Sequence, residues 1–382
     1  MTKLGDICTI QSGGTPSRGN NEYWDNGTIP WVKISDFSGK YLNYTSEKIT
    51  RKGLENSSAK VFSKGTILYT IFATLGETAI LGIDATTNQA IAGLKLNDTS
   101  VSTDYLYYYL LSKKDYVNEI GRGVAQNNIN LKILREMEIS VPSSEEQKHV
   151  SETLNKVYAL IDLRKQQLAK LDELVKARFV ELFGDPSSNP MGWKETTIGA
   201  ECYYIKDGPH KSLPDVGEGN GYPFISVRNI VNGYIDFSTA RYISEKDYLD
   251  SIKKCHPQKG DMLYSKGGTT GIAKLIDVDV EFANWVHVAV LKFDDTLNGV
   301  FFENMLNSDY CYDQSQRLTK GIANRDLVLS AMAQIKMYKP PLELQEKFAT
   351  FVEQTDKSKL AIQQSLDKLE TLKKSLMQKY FG

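Results

Sequence analysis

Histidines are the side chains in this chain whose type best suits acid–base or metal chemistry, but their spacing supports neither. The four are scattered without the short spacing that a shared metal ion requires: His149, His210, His256 and His287. Cys255 directly precedes His256, and we interpret that pair as structural. His210 lies in a Gly-Pro-His-Lys loop, where its imidazole could donate to a phosphate or to the edge of a base unless the loop is an ordinary turn.

Cofactor motifs are also missing from the sequence. It contains no Gly-x-Gly-x-x-Gly and no Gly-x4-Gly-Lys-Ser/Thr pattern, so neither a dinucleotide site nor a P-loop is predicted. The segment 189–192 partly matches the Asn-Pro-Pro-aromatic motif of methyltransferases, but it lacks the second proline and the aromatic residue. A self-contained nuclease or methyltransferase is therefore disfavoured. We expect no catalytic residue, no metal site and no cofactor in this chain.

Length and composition suffice for two globular domains. The chain has 382 residues, of which 41% are hydrophobic, enough for two cored domains and additional helices. Its 46 basic and 47 acidic residues give a net charge of −1. This balance neither indicates nor excludes a nucleic-acid partner, because a local basic patch can serve where the total is neutral.

Cysteine usage and hydropathy predict a cytoplasmic protein. Cys8, Cys202, Cys255 and Cys311 show no Cys-x-x-Cys spacing, so we expect reduced, buried thiols. The sequence opens with no basic segment followed by an apolar one, and no apolar run of about 18 residues occurs. We therefore expect neither a signal peptide nor a membrane span.

The chain contains an internal repeat. Toward the end of each copy corresponding residues are a constant 198 positions apart, as Pro142 and Pro340 or Phe183 and Phe381 illustrate. Upstream the separation drifts between 193 and 198, because loops differ in length. Constant spacing belongs to segments that must match along their length, whereas drift belongs to domains that are free to diverge. The sequence therefore predicts one scaffold that carries two different surfaces.

Each copy ends in a segment with the hydrophobic pattern of a coiled coil. Apolar residues recur at alternating spacings of four and three, the 3.5-residue periodicity of a seam, the stripe by which two helices pack. Neither segment contains an internal proline or glycine. The predicted seam residues are Val150, Leu154, Val157, Ile161, Leu168, Leu171, Val175 and Leu182 in the first helix, and Phe348, Val352, Ile362, Leu366, Leu369, Leu376 and Tyr380 in the second.

Charges within the seam favour pairing of these two helices with each other. Arg164 and Arg178 interrupt the first seam, whereas the equivalent positions of the second hold Ile362 and Leu376. A helix of about 40 residues is about 60 Å long, well beyond the radius of gyration of about 15 Å expected for either domain. A parallel pair would need a domain to bridge both ends of this rod, and an antiparallel pair would not. We therefore predict an antiparallel pair.

The register follows from the repeat. In the simplest symmetric arrangement Ile161 faces Leu369, Arg164 faces Leu366 and Leu171 faces Lys359, so that no like charges meet.

The predicted fold class is α+β: two pseudo-repeated α/β globular domains at opposite ends of a long antiparallel two-helix coiled coil. The domains are predicted at 1–142 and 185–340, and the helices at 143–184 and 341–382. Glycine-containing turns separate short β-rich runs within the domains. These runs are Ile29–Ile34, Thr66–Phe72, Ala90–Leu96, Tyr222–Val227 and Val286–Phe293, and Leu106–Leu111 and Phe301–Leu306 are each predicted as a short helix.

Several motifs resemble the target recognition domains of type I restriction-modification specificity subunits. The first copy opens with Gly13-Gly14-Thr15-Pro16-Ser17-Arg18, followed by Tyr23-Trp24, Ile29-Pro30-Trp31 and Asp36. The second carries Ile205-Lys206-Asp207-Gly208-Pro209-His210-Lys211, followed by Tyr222-Pro223-Phe224-Ile225-Ser226 and Asn229-Ile230. Segments 142–147 and 340–345 are similar to the family's Pro-x-Leu-Glu-Glu-Gln start of a spacer helix, from which Ser144 and Leu344 depart. The resemblance covers essentially the whole chain.

This resemblance implies a non-catalytic DNA-reading subunit. Each domain would read one half of a bipartite double-stranded DNA target, and the antiparallel helices would fix the gap between the halves. Modification (methyltransferase) subunits, two in number, would dock on the helical region, and restriction or translocase subunits would join through the complex. S-adenosylmethionine, ATP and Mg²⁺ are expected on those partner subunits and not on this chain.

Candidate DNA contacts are polar side chains in the glycine-bearing loops of the two domains, where donors can approach a duplex. For any one of them the simpler interpretation is an ordinary solvated side chain. They are Thr15, Arg18, Lys33, Arg122, Gln126 and Asn127 in the first domain, and His210, Lys211, Arg228, Lys266, Thr269, Thr270, Lys320, Asn324 and Arg325 in the second.

A second function class stays open at this point. Paired domains on a coiled-coil stalk would also suit a structural or assembly module that binds proteins without DNA specificity. Such a module would show no salt-sensitive affinity for DNA, whereas a DNA reader would lose affinity steeply with salt.

Overall fold

The structure is a computed structural model that describes residues 1–122, 128–322 and 324–382, except for the side chain of Arg122. The chain divides into two compact units. Unit 1 comprises Met1–Lys165 with Gln364–Gly382, and unit 2 comprises Gln166–Gln363. Each unit therefore contains one copy of the repeated domain together with part of both long helices.

Unit 1 begins with a domain of mixed secondary structure. Its strands are β1 (Thr2–Lys3), β2 (Cys8–Ser12), β3 (Ile29–Val32), β4 (Tyr41–Leu42), β5 (Glu47–Ile49), β6 (Ile67–Thr70), β7 (Thr78–Leu81), β8 (Thr86–Thr87), β9 (Ile91–Leu96) and β10 (Glu138–Ile139). The helices in this part of the chain are α1 (Leu4–Ile7), α2 (Arg51–Glu55), α3 (Thr103–Ser112), α4 (Lys114–Arg122), α5 (Leu131–Glu136) and α6 (Ser144–Phe183).

Unit 2 follows the same order of elements, except that its described residues contain no counterpart of β4. Its strands are β11 (Lys194–Thr197), β12 (Cys202–Asp207), β13 (Tyr222–Ile225), β14 (Arg241–Ile243), β15 (Met262–Ser265), β16 (Ala273–Leu275), β17 (Ala283–Asn284), β18 (Val288–Phe293) and β19 (Lys336–Lys339). The helices are α7 (Ile198–Glu201), α8 (Glu245–Lys254), α9 (Gly299–Leu306), α10 (Asp309–Leu318), α11 (Leu329–Met332) and α12 (Leu342–Phe381), whose last part belongs to unit 1.

The sheets of the two units repeat each other. In the described residues of unit 1 they have the orders β2-β9-β6-β7-β4, β5-β3-β8 and β1-β10. In those of unit 2 the orders are β12-β18-β15-β16, β14-β13-β17 and β11-β19. A short 3-10 helix follows β3 in unit 1 (Ile34–Asp36) and β13 in unit 2 (Val227–Asn229). Each of these two strands pairs antiparallel with one neighbour and parallel with the other. The prediction of an α+β chain with two repeated domains and a long helix is confirmed.

The long helices complete the cores of the domains. In unit 1 the first turns of α6 and the end of α12 contribute Leu154 and Phe381 to the core that Tyr69 and Leu106 form. In unit 2 the end of α6 contributes Phe179 and Phe183, whose rings pack against Phe348 at the start of α12 and against Phe301 of the domain. Burial of large apolar surfaces of this kind is the main stabilising term in folding.

Helix α6 has defined start and stop signals. Ser143 and Glu146 form a reciprocal capping box, in which the Ser143 amide donates to Glu146 Oε2 at 2.9 Å and the Glu146 amide donates to Ser143 Oγ at 3.3 Å. Gly184 follows the last turn with a φ of +74°, the left-handed conformation that favours glycine after a helix. These local signals set the length of the helix at 40 residues.

The predicted seam residues are all buried or half-buried, whereas apolar residues such as Leu163 and Leu360 of the same helices are exposed. Within unit 1, Arg164 Nε donates to Ser365 Oγ at 3.3 Å, while Lys373 lies 5.6 Å from the ring of Tyr158. The helices therefore run antiparallel in this unit, because the later residue of α6 contacts the earlier residue of α12.

Unit 2 shows the same direction in its own part of the helices. Lys359 pairs with Asp172 at 2.7 Å, and the rings of Phe179 and Phe348 lie 5.4 Å apart. Both the Arg164–Ser365 and the Asp172–Lys359 contacts lie one position from the pairs expected from the repeat.

Sequence patterns missed part of each domain. The β-rich runs and the short helices α3 and α9 were predicted, but α4 and α10, which follow them directly, were not. No helix within the described residues is long and apolar enough to cross a membrane.

Candidate nucleic-acid interface

The first candidate surface is the loop 13–20 of unit 1, which is held close to the sheet by its glycines. The Gly14 amide donates to the Thr87 carbonyl at 2.9 Å. A Cβ at Gly13 would lie 2.0 Å from Thr87 Oγ1, and one at Gly14 would lie 2.3 Å from Ser58 Oγ. Glycine is required here by close approach of the backbone, which fixes where the polar side chains of the loop emerge.

Two tryptophans hold the same loop from beneath. The Trp31 indole N–H donates to the Gly14 carbonyl at 3.0 Å, and the Trp24 indole N–H donates to the Ser17 carbonyl at 3.1 Å. The two rings pack edge to face with centroids 5.0 Å apart. The loop is thus pinned at two carbonyls by rigid aromatic side chains.

Arg18 is ordered on this platform but stays about half exposed. Its guanidinium lies 3.6 Å from the centroid of the Trp24 ring, and NH1 pairs with Glu47 Oε2 at 2.5 Å. Lys33 Nζ reaches the other oxygen of Glu47 at 2.9 Å. The hydrogen bond from Arg18, helped by that from Lys33, lowers the pKa of the Glu47 carboxyl. Glu47 therefore stays ionised between two cations, and the cluster keeps one net positive charge.

Thr15 lies at the edge of the same surface. Its hydroxyl donates to Oε1 of Gln89, a residue that the sequence analysis did not single out. Gln89 follows the short strand β8, and its amide group is of the type that can pair with adenine.

Unit 2 has a cleft of about 660 Å³ that gathers residues from distant parts of the sequence. Three of the predicted contacts line it: Arg228, Asn324 and Arg325. The cleft is further lined by Ser226, Val227, Gly267, Gly268, Trp285, His287 and Asp326. It thus assembles amide, guanidinium, indole and imidazole groups in one concave surface, a combination suited to hydrogen bonding with base edges.

Trp285 and His287 were missed by the sequence analysis. Their rings pack edge to face at 4.7 Å, and Trp285 Nε1 and His287 Nδ1 have no hydrogen-bond partner among the described residues. Gly267 is needed beside them, because a Cβ there would lie 1.7 Å from His287 Nδ1. The signal that could have found them is the aromatic pair placed directly before β18.

The two arginines of the cleft are oriented by neighbouring groups. Arg228 NH2 donates to the Thr239 carbonyl at 2.7 Å, and Arg325 NH2 donates to Gln316 Oε1. Both side chains are exposed, so each retains further N–H groups for a ligand.

Other predicted contacts of unit 2 lie outside the lining of this cleft. His210 and Lys211 are exposed after β12, and His210 Nε2 lies 3.9 Å from Asp207 Oδ2. Thr269 and Lys320 are also exposed. All four can reach a ligand from the surface.

The expectation that Lys266 and Thr270 project from an open loop is wrong, because both are buried. Lys266 Nζ lies between Asp207 and Asp326, and the Thr270 hydroxyl pairs with that of Thr319 at 2.9 Å. We therefore do not retain these two as direct contacts. Of the first-domain predictions, Gln126, Asn127 and the side chain of Arg122 lie outside the described residues.

The cysteines are not arranged for chemistry. All four are buried and free, and burial raises the pKa of the Cys8 and Cys202 thiols to about 12. Within the described residues no group of three histidine, cysteine, aspartate or glutamate side chains is placed to hold a metal ion.

Comparison with known families decides the identity of this repeated scaffold. The profile of the type I restriction modification DNA specificity domain matches residues 1–173 and again residues 190–373, one match for each copy of the repeat. The chain belongs to the type I restriction-modification specificity family.

Individual specificity subunits are similar over most of the chain. The MjaIX specificity subunit of Methanocaldococcus jannaschii is 28% identical over 312 residues, which cover 76% of this chain and 71% of the relative. The MjaVIII specificity subunit of the same organism is 22% identical over 374 residues, covering 92% and 88%.

Solved structures share the fold. The S subunit of a type I restriction-modification system from M. genitalium superposes with a TM-score of 0.59 at 16% identity, covering 100% of this chain and 95% of that one. A chain from a structure that describes complex assembly of the type I R-M system gives a TM-score of 0.57 at 18% identity. The superposition covers 100% of this chain and 96% of that one. The fold of this specificity-family member is therefore that of known S subunits.

Proposed function

We propose that this chain is the sequence-specific DNA-recognition subunit of a type I restriction-modification complex. One domain reads each half of a bipartite target, and the helices hold the gap between the halves. The chain is non-catalytic, as specificity subunits are, and catalysis lies in partner subunits. The alternative, an assembly module without DNA specificity, is not favoured because the matched family is defined by DNA specificity.

The observation that carries this proposal is one backbone with two different sets of side chains. The Asn88 amide donates to the Val32 carbonyl at 3.1 Å, and the Trp285 amide donates to the Ile225 carbonyl at 2.8 Å, so these two positions are equivalent. By the same repeat, unit 2 has His287 where unit 1 has an alanine. A repeated scaffold with different donors at equivalent positions suits the reading of two different half-sites.

The proposed contacts differ between the units in how they are held. In unit 1 they are Thr15 and Arg18 on the tryptophan-supported loop 13–20, with Lys33 and Gln89 beside it. Arg122, Gln126 and Asn127 also remain proposed contacts of unit 1. In unit 2 they are His210, Lys211, Arg228, Thr269, Lys320, Asn324 and Arg325, and we add Trp285 and His287. Arginine pairs with guanine, and asparagine or glutamine with adenine, at about 1–3 kcal/mol of discrimination per good pair.

We further propose a division of labour along the chain. Residues 1–142 and 185–340 are the readers, and 143–184 and 341–382 are the spacers. The buried seams and the antiparallel contacts within each unit support this role for the helices. Rigid helices keep two half-sites on one face of a duplex when those half-sites are about one turn, or roughly 34–36 Å, apart.

Specificity subunits of this family bind DNA and assemble with methylase and restriction subunits. We propose that two modification subunits dock here, one on the helical part of each unit. The support is an exposed leucine that the repeat presents twice: Leu174 in unit 2 and Leu372 in unit 1 are 198 positions apart and are 48% and 45% exposed. Further exposed apolar residues of the helices are Leu160, Leu163, Val180 and Leu360.

The chemistry belongs to the partners in this proposal. S-adenosylmethionine would be bound by the modification subunits, and ATP and Mg²⁺ by the restriction subunits. We propose the cytoplasm as the compartment, because the target is genomic DNA and the buried free thiols suit a reducing environment.

The deciding experiment is genome-wide mapping of methylated adenines in a strain that expresses the modification subunits with and without this chain. A bipartite, non-palindromic methylated motif that appears only with the chain is the expected result. Loss of DNA affinity of the purified complex with rising salt should accompany it. An unchanged methylation pattern, or salt-independent binding, would support the assembly-module alternative instead.

A further inference from the structure

Unit 2 contains a cluster of ion pairs beneath its proposed contacts, in which Lys266 and Asp207 are buried while Lys254 and Asp326 are partly exposed. Lys266 is 5% exposed, and its Nζ lies 2.9 Å from Asp326 Oδ1 and 3.5 Å from Asp207 Oδ2. Asp207 is also buried and pairs through its other oxygen with Lys254 at 2.8 Å. The charges alternate along this chain of four groups, so the cluster is neutral as a whole.

Lys266 connects three segments that each carry proposed contacts. Asp207 ends β12, three residues before His210. Lys266 follows β15 and immediately precedes the glycines of the cleft. Asp326 directly follows Arg325, and its backbone bridges to both Gly267 and Lys320. The Lys266 ammonium group therefore joins its own segment to the two segments that carry Asp207 and Asp326.

Unit 1 has the same backbone hydrogen bonding at the equivalent position but no lysine there. The Ile71 amide donates to the Ala90 carbonyl at 2.8 Å, and the Lys266 amide donates to the His287 carbonyl at 2.8 Å. Since Ile71 directly follows β6 as Lys266 follows β15, the two residues occupy equivalent positions.

The carboxylates of the cluster are also particular to unit 2. Strand pairing places Ser12 of unit 1 where unit 2 has Asp207, and the isolated bridges place Asn128 where unit 2 has Asp326. The scaffold thus folds around a neutral set in one copy and around an ionic set in the other.

Stability alone does not explain such a cluster. Replacing a buried ion pair by apolar groups of similar volume is often neutral or stabilising, because removal of both charges from water is costly. Unit 1 already fills the equivalent positions with the uncharged residues Ser12, Ile71 and Asn128. The ammonium group instead provides directional hydrogen bonds. It can donate to carboxylates of separate segments and so fix the distance between those segments.

We propose that Lys266 is a positioning residue for DNA readout by unit 2. It holds the segments 207–211 and 324–326 at a fixed distance, so that His210, Asn324 and Arg325 present their donors in one arrangement. Base readout requires such placement, since recognition groups tolerate errors of only about 0.5 Å. This inference rests on the proposed function of the chain.

The test uses the full chain in its complex with modification subunits, after the target has been mapped. Methylation is measured on the native target and on targets with one base replaced in either half-site. Three variants are compared with the parent: Lys266→Met, which removes the charge; Lys266→Arg, which keeps it; and the triple variant Asp207→Ser, Lys266→Ile, Asp326→Asn, which copies unit 1.

The triple variant is expected to fold and to methylate the native target. Its discrimination against base changes in the half-site read by unit 2 should fall about tenfold or more, while discrimination at the other half-site stays within about twofold. Lys266→Met should lose the same discrimination, and Lys266→Arg should retain most of it. A variant that merely destabilised unit 2 would instead lose methylation of the native target as well.

Three results would overturn the inference. The first is unchanged discrimination at both half-sites in a folded variant, and the second is an equal loss of discrimination at both half-sites. The third is a triple variant that fails to fold, because the charges would then be needed for folding itself. The parent complex tests the proposed function separately: if it discriminates at neither half-site, the proposed function fails and the inference with it. If the parent discriminates and the variants equal it, only the role of Lys266 is lost.

Discussion

Gln147 accepts a hydrogen bond from the Ser102 amide at 2.8 Å, which ties the first turn of α6 to the start of α3. The same buried side chain donates to the carbonyls of Ser100 and Pro142, at 2.7 and 3.0 Å. Unit 2 repeats this arrangement with Gln345, which accepts from the Asn298 amide at 2.8 Å. One glutamine in each unit therefore joins a long helix to its domain.

Replacing Gln147 by leucine should destabilise unit 1. The Ser102 amide and the Ser100 carbonyl, which belong to exposed residues, would lose their hydrogen bonds to the buried glutamine side chain, and each lost hydrogen bond costs about 0.5–1.5 kcal/mol. Hydrogen exchange should show faster opening at the start of α3, and urea unfolding should show a lower free energy of unfolding.

The matched control is Gln354→Leu, because Gln354 lies on an exposed face of α12. Its effect should stay within about 0.5 kcal/mol. Equal protection in the Gln147 variant and the parent would show that the glutamine does not join helix and domain.

The helix register can be tested by disulfide cross-linking. Leu154 belongs to the core of unit 1, and Leu376 packs against that same core. Cysteines at these two positions should therefore form a disulfide on oxidation, seen as a mobility change that dithiothreitol reverses. Formation requires Cα atoms within about 7 Å.

The control pair is Leu154→Cys with Val352→Cys, since Val352 belongs to the core of unit 2. This pair should not cross-link. Preferential bonding of the control pair would mean that the helices run parallel and would reject the antiparallel arrangement. The native thiols should not interfere, because all four are buried.

Much of the fold was accessible from the sequence because its signals are local or repeated. The seam follows from a 3.5-residue periodicity that every turn of the helix repeats. The strands β9 and β18 follow from short β-rich runs that recur at equivalent positions in the two copies. Patterns of this kind can be recognised in a sequence without knowledge of the tertiary structure.

The binding surfaces were less accessible because they depend on contacts between distant segments. Lys266 precedes two glycines and therefore has the sequence pattern of an exposed loop residue. Its burial depends on Asp207 and Asp326, each about 60 positions away, and no periodicity reveals such pairs. Trp285 and His287 were missed for the same reason, since only the folded cleft places them beside Arg228 and Arg325.

Lengthening the spacer helices should change the gap in the DNA target and leave the half-sites unchanged. Inserting one heptad into each of α6 and α12, at facing positions, preserves the seam and adds about 10 Å to the pair. At 3.4 Å per base pair, this length corresponds to a gap longer by about three base pairs. Mapping of methylated adenines would measure both gap and half-sites.

A variant with a single residue inserted in each helix serves as the control, because it breaks the seam and should reduce assembly. Altered half-site bases in the heptad variant would contradict the proposed separation between readers and spacers.

Arg18 provides the sharpest test of readout by unit 1. Its guanidinium is held by the Trp24 ring and Glu47, so it is already placed before DNA binds. Arg18→Ala should reduce discrimination at one half-site by about tenfold or more, as expected when a good arginine–base pair is lost. Arg18→Lys keeps the charge but not the planar fork, so it should lose discrimination while retaining most of the salt dependence of binding.

Arg51→Ala is the matched control for Arg18→Ala. Arg51 belongs to the same unit, and its side chain is highly exposed and pairs with Glu55 one turn along α2. Methylation of targets with single base changes should therefore distinguish the two variants, with Arg51→Ala matching the parent at both half-sites. If Arg18→Ala also matches the parent at both, the tryptophan-supported loop does not read bases, and readout by unit 1 must come from other residues.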